Sequence, residues 1–347
     1  MLSNHYKPEV PANYQPRPAI ERDAWGFPRL RLITHPTRCH PMLKLGNAWG
    51  HPALFVKRED QTAGLYGGNK VRNLEYILAE AELRGARDLL TVAPLGSNFV
   101  AALASHAPGL GFRVRVRHFV PHRNPQIESH ADFSAAQGAA LLISNDAWPV
   151  PLAALTAGCA SLIEHRRTGA YWVSPGGSNV IGAMGHFSAA LELKEQILRK
   201  ELPAPDLLVV GVGTCGTIAG LLAGLRVSGL STRVIGIRCV DRIVCNRRRI
   251  SALANQLLRQ LGLPANVSHR DIDLRSPDGN SMRYAERSAS AGNLAAQFSA
   301  TEGLTLDTTY TTKVAKCLEA IVSSPEAKKR TVLYWHTYGG RNIHRGE

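Results

Sequence analysis

The chain has 347 residues, 44% of them hydrophobic and 20% charged, which is globular composition with room for two ordinary domains and excludes a disordered chain. Its 31 glycines and 20 prolines are too few for a fibrous protein, and no apolar run approaches the roughly 20 residues that span a bilayer. The net charge of +14 is spread along the chain, densest at Arg242, Arg247, Arg248 and Arg249, without an aromatic stripe, zinc finger or basic heptad beside it. It therefore reads as a solvated face that attracts anionic substrates, and neither a nucleic-acid nor a membrane partner is expected.

Residues 1–28 are rich in proline and polar residues and are expected to form an irregular arm, with no apolar stretch of the kind a secretion signal carries. After it, short apolar runs alternate with helical patterns. ALFVK (53–57) reads as a strand, 69–84 as a helix, DLLTVA (88–93) as a strand, and a second helix starts near Ser97. RVRVRHFV (113–120) and AALLIS (139–144) continue the strand series. GGSN (176–179) reads as a glycine-rich turn. LLVVGVG (207–213) leads into the helical TIAGLLAGL, followed by the strands RVIGIRCV (233–240) and TVLYWHT (331–337). Strands alternating with helices predict an α/β protein with mostly parallel sheets. Six cysteines without C-x-x-C spacing point to a reducing cytoplasm rather than a disulfide framework or zinc site. No metal is expected, and His118 and His122 read as surface residues.

The helix after GGNK places Val71, Leu74, Ile77, Leu78 and Ala81 on one apolar stripe, which puts Lys70 in its first turn. A cation at a helix N-terminus is disfavoured by the helix dipole, so its position asks for a reason. Four segments supply one together: KREDQTAGLYGGNKVRNLE (57–75), LGSN (95–98), VVGVGTCGTIAGLLAGL (209–225), and DTTYTTK (307–313) with YWHTYGG (334–340). From about Arg29 to Gly340 the sequence resembles the fold type II pyridoxal-phosphate enzymes, and among them the 1-aminocyclopropane-1-carboxylate (ACC) deaminase and D-cysteine desulfhydrase family. GGNK-x-R-x-LE is the specific part of the likeness.

The resemblance implies two open, twisted, mostly parallel sheets flanked by helices. It assigns 29–86 and 187–347 to a large cofactor-binding domain and 87–186 to a small one, usually in a homodimer. It makes Lys70 the lysine that forms the Schiff base with pyridoxal 5′-phosphate and Asn69 the partner of the ring hydroxyl. Gly213, Thr214, Cys215, Gly216 and Thr217 become the phosphate loop, in which Cys215 stands where the family usually has glycine. Ser97 and Asn98 would hold the substrate carboxylate, with Phe99 making that rim more apolar. Tyr284 and Tyr310 match two active-site tyrosines that transfer protons. Thr311, expected among the substrate contacts and near the pyridine nitrogen, and Thr337, expected among the cofactor contacts, place the chain on the desulfhydrase side of the family. Tyr338 and Thr312 are departures.

The implied reaction is β-elimination from a small amino acid to an α-keto acid and ammonia. The alternatives are a β- or γ-replacement enzyme and an ACC deaminase. GVGTCG (211–216) is also a literal G-x-G-x-x-G and admits a nicotinamide-dependent oxidoreductase, although the acid that this would require, Asp241, comes late.

Overall fold

A computed structural model describes residues 19–33, 36–121, 123–143, 149–277, 289–340 and 343. In chain order its strands are β1 (Ile20–Arg22), β2 (Pro28–Leu30), β3 (Cys39–Pro41), β4 (Leu54–Arg58), β5 (Asp88–Pro94), β6 (Arg113–Phe119), β7 (Ala140–Ile143), β8 (Tyr171–Trp172), β9 (Leu207–Val212), β10 (Arg233–Arg238), β11 (Asp273–Arg275) and β12 (Val332–His336). The helices are α1 (Leu43–Ala48), α2 (Lys70–Leu83), α3 (Asn98–His106), α4 (Pro125–Ala136), α5 (Val150–Thr168), α6 (Val180–Leu198), α7 (Gly216–Ser228), α8 (Arg247–Gln260), α9 (Ala289–Glu302) and α10 (Thr311–Val322).

Two sheets carry the molecule. A six-stranded sheet has the order β11-β10-β9-β12-β4-β3, parallel except for the edge strand β3. A four-stranded sheet, β7-β6-β5-β8, is wholly parallel. Its strands come from residues 88–172, while position 186, where the sequence suggested a boundary, lies inside α6. The small β1-β2 hairpin falls within what was expected to be an irregular arm and its edge.

Buried β-branched and leucine runs explain the central strands: Leu207 to Val210 and Val332 to Trp335 are fully buried, as parallel strands covered on both faces require. Helices α6 and α7 pack at very close range. A Cβ on Gly220 would lie 2.3 Å from the Ala183 carbonyl oxygen, and one on Gly224 would lie 2.6 Å from that of Phe187.

Helix α2 departs from the single apolar stripe read in the sequence. Its residues from Val71 to Glu82 are all buried, polar ones included. The polar face is held by ions and amides. Arg72 pairs with Glu59 and, at 2.9 Å, with Glu192. Glu192 also meets the buried Lys57 at 2.6 Å. Glu75 accepts from the backbone N–H groups of Leu32 and Ile33, both at 3.0 Å, and pairs with Arg29 at 2.7 Å. The Arg and Glu of GGNK-x-R-x-LE are thus the pins that seat the helix carrying Lys70. His118 is also buried, with Nδ1 3.1 Å from the Ala93 carbonyl oxygen, because its strand β6 is covered on that face; it is not a surface residue. His122 lies outside the described residues.

Candidate active site

Strands β4, β9 and β12 run parallel, so their C-terminal ends lie on one edge of the sheet, where open α/β sheets place ligands. The chain leaving each end contributes to one cleft of about 410 Å³, including its open mouth. Lys70 and Asn69 follow β4, Gly213 to Thr217 follow β9, and Thr337 follows β12. Asn98 and Tyr310 complete the wall.

The lysine loop is clamped against the exit of β12. Gly67 N–H donates to the Gly339 carbonyl at 3.4 Å and Asn69 N–H to that of Thr337 at 3.1 Å. Gly68 has φ +91°, and a Cβ there would stand 2.8 Å from the Thr337 carbonyl oxygen, so only glycine fits. Lys70 opens α2 with its Nζ 3.4 Å from the Gly176 carbonyl oxygen. Burial, with no carboxylate to offset it, pushes its pKa down to about 8. The awkward placement of a cation at a helix start thus yields an amine that loses its proton readily.

Residues 213–215 turn β9 into α7, whose first-turn N–H groups and dipole favour an anion. Cys215 takes φ +77°, a left-handed conformation that a side chain normally avoids. Its Sγ points to the Val244 carbonyl oxygen at 3.7 Å, and the hydrogen bond to the Cys245 thiol holds its pKa below the usual thiol range. The Thr214 and Ser178 hydroxyls lie 2.6 Å apart, and Ser178 Oγ accepts from Gly216 N–H at 3.1 Å. The Gly216 donor, expected to face an anion, is therefore engaged by the GGSN turn. Thr217 Oγ1 accepts from Asn69 Nδ2 at 2.8 Å. The Tyr310 ring covers Gly213, where a Cβ would come within 3.0 Å of the phenol oxygen.

Across the cleft, Ser97 is the extended N-cap residue of α3, and Asn98, next to it, reaches the wall. Asn98 Nδ2 donates to Asp307 Oδ2 at 3.1 Å. Asp307 is 2% exposed and also accepts from the backbone N–H groups of Tyr310 (3.2 Å) and Thr311 (2.8 Å) and from the Thr311 hydroxyl (2.6 Å).

Two expected substrate contacts are placed elsewhere. Phe99 is a core residue, packed where a Cβ on Gly177 would stand 2.7 Å from its ring, because it lies on the face of α3 turned to the interior. Thr311 is buried and its hydroxyl is committed to Asp307, so it acts on the cleft only through that carboxylate. Tyr284 lies outside the described residues. The departure Tyr338 is buried, and its hydroxyl meets His130 Nε2 of α4 at 2.9 Å. Asp241, which the nicotinamide reading needed, turns its carboxylate to the N–H of Ile243 at 2.8 Å.

Sequence reasoning missed Gly176, Ser178, Asp307 and His186 as neighbours of the site. Only the GGSN motif signalled the first two, and Asp307 had served merely to set register. Among the described residues no cluster of His, Cys, Asp or Glu could hold a metal, and no helix is long and apolar enough to cross a membrane.

Comparison with known proteins agrees with this geometry. The chain is 31% identical over 322 residues to a D-cysteine desulfhydrase of Klebsiella pneumoniae, covering 90% of this chain and 94% of that one. It is 30% identical over 312 residues to the nocardicin C-9′ epimerase of Nocardia uniformis, covering 90% and 92%. A solved ACC deaminase homologue superposes with a TM-score of 0.77 at 25% identity, again covering 90% and 92%. Family matching spans residues 30–337, from the end of β2 to the first carbonyl of the clamp on the lysine loop. The chain therefore belongs to the pyridoxal-phosphate dependent enzymes, and the nicotinamide reading of residues 211–216 is set aside.

Proposed function

We propose that this enzyme removes the Cα proton of a small D-amino acid and expels a β-leaving group, as a D-cysteine desulfhydrase does. With D-cysteine and water the products are pyruvate, hydrogen sulfide and ammonia. The observation that carries the reading is the meeting of a readily deprotonated Lys70 with the N-terminus of α7 in one cleft. The donor set fits the cofactor: an amine for its aldehyde, and the Thr214 and Thr217 hydroxyls with the helix start for its phosphate. Asn69 is suited to the ring hydroxyl.

Bound there, pyridoxal phosphate supplies the electron sink that acidifies the Cα–H bond. Lys70 would hold the cofactor through its amine, and its free amine would serve as the base that takes that proton. Ser97 and Asn98 at the start of α3 bind the substrate carboxylate, which fixes the Cα–H bond relative to Lys70. Tyr310, over Gly213, is the candidate proton donor to a leaving thiolate, and Tyr284 is kept as a second candidate. Thr337 holds the lysine loop through its carbonyl oxygen.

Epimerisation is the second reading, supported by the epimerase of Nocardia uniformis at nearly equal identity and coverage. It shares the proton removal and differs in returning a proton to the other face. Incubation with D-cysteine, ACC and O-acetyl-D-serine, with keto-acid and sulfide release measured in deuterium oxide, separates the readings. Keto acid fastest from D-cysteine supports elimination. Deuterium at Cα without keto acid supports epimerisation, and fastest release from ACC supports ring opening. In the same proposal the enzyme works as a homodimer in a reducing cytoplasm. The six free cysteines support the compartment, and light scattering tests the dimer.

A further inference from the structure

His186 lies on α6, is fully buried, and does not itself line the cleft. Its Nε2 stands 3.0 Å from Asn73 Oδ1 and 3.2 Å from Thr217 Oγ1, while its Nδ1 has no hydrogen-bond partner. Which atoms carry the protons follows from the neighbours. The Asn73 amide is oriented by two carbonyls, because its Nδ2 donates to Gly177 at 3.2 Å and Gly182 at 3.1 Å. Its Oδ1 is therefore the atom that faces His186, and an acceptor there requires a proton on Nε2. The opposite tautomer would bury an unpaired Nδ1–H and set two lone pairs against each other. Burial, reinforced by the nearby charges of Lys70 and Arg72, keeps the ring neutral.

With Nε2 protonated, its single N–H is shared between Asn73 Oδ1 and Thr217 Oγ1, so the hydroxyl oxygen faces two donors, this one and Asn69 Nδ2. Neither can accept the hydroxyl's own proton, which is left for an acceptor in the cleft. We infer that His186 is a positioning residue that, together with Asn73, turns the Thr217 hydroxyl proton toward the cofactor phosphate. The inference rests on the placement of that phosphate at the start of α7 made above.

The test is a double-mutant cycle on cofactor affinity. Apoenzyme is titrated with pyridoxal phosphate and with 4′-deoxypyridoxine 5′-phosphate, which lacks the aldehyde and so reports the phosphate site without the lysine bond. His186→Phe is expected to weaken both ligands about 10-fold, and His186→Gln, which keeps an N–H donor, to stay within about 3-fold of the parent. In a Thr217→Val background His186→Phe is expected to change affinity by less than about 2-fold, because its route to the ligand is gone. Equal losses from His186→Phe in both backgrounds would show a packing role and overturn the inference. Unchanged affinity in Thr217→Val alone would move the phosphate elsewhere and overturn both readings. If His186→Phe does not fold, the comparison of His186→Gln with Thr217→Val and with their double variant decides the matter. There, a loss by His186→Gln as large as that of Thr217→Val would refute the donor role.

Discussion

Glu192→Gln tests whether the buried charges beneath α2 hold that helix. Glu192 is 18% exposed at its side chain and faces two cations, Lys57 at 2.6 Å and Arg72 at 2.9 Å. Burial alone would raise its pKa, but Arg72 and Lys57 outweigh that and pull it from 4.5 to about 2. At about 1.4 kcal/mol per unit, the folded state favours the carboxylate by about 3 kcal/mol. That agrees with the usual cost of removing one partner from a buried ion pair, about 3–5 kcal/mol. Unfolding entropies of about 2 cal/mol/K per residue convert it to about 4 °C in thermal midpoint for a chain of this length. Because the native pKa is depressed, this stability is fully present above about pH 4.5 and is lost as pH falls toward 2. Calorimetry of both proteins at pH 7 and at several points between pH 5 and 3 measures it. A variant that melts with the parent at pH 7, or a gap that fails to narrow on acidification, would refute the reasoning.

Lys70→Ala is expected to abolish turnover and the absorbance of bound cofactor while the circular dichroism stays native. With Lys70 intact, the rate of cofactor capture by apoenzyme should rise with pH to a plateau, with its midpoint near 8, because only the neutral amine attacks; stopped-flow absorbance follows it. Thr214→Ala should weaken cofactor binding about 10- to 100-fold, seen by equilibrium titration, with the chemical step changed far less. Asp307→Asn sets an amide N–H against the donors that the carboxylate now accepts, and should cut kcat/KM about 10- to 100-fold at unchanged cofactor affinity.

What the sequence revealed and what it hid divide along range of interaction. The buried runs of β9 and β12 and the alternation in β6 are local patterns, and the structure places these strands within a residue or two of their predicted bounds. Lys70 was legible because Gly67-Gly68 and the apolar residues of α2 adjoin it in the chain. The partners of Arg72 and Glu75 were not, since Glu192 and Ile33 are brought there only by tertiary packing. Phe99 and Thr311 were read by motif position, which fixes the backbone but not the direction of a side chain. His186 sits on a helix whose pattern is satisfied by packing alone, and the GGSN motif marked a turn at Ser178 without showing that it meets α7.

The clamp between the lysine loop and the exit of β12 bears on how the enzyme is made. Asn69 and Gly67 hang from the carbonyls of Thr337 and Gly339, and β12 itself lies between β9 and β4 at the middle of the sheet. During translation the amine emerges early, while the strand that shapes its loop emerges only after every other strand and helix described. A nascent chain on the ribosome thus holds Lys70 without the floor that sets its geometry. Insertion of β12 between two strands already made is a long-range step of the kind that folds slowly. Cofactor capture is accordingly expected to wait for β12, because until that strand is inserted the sheet has a gap where the site's floor belongs.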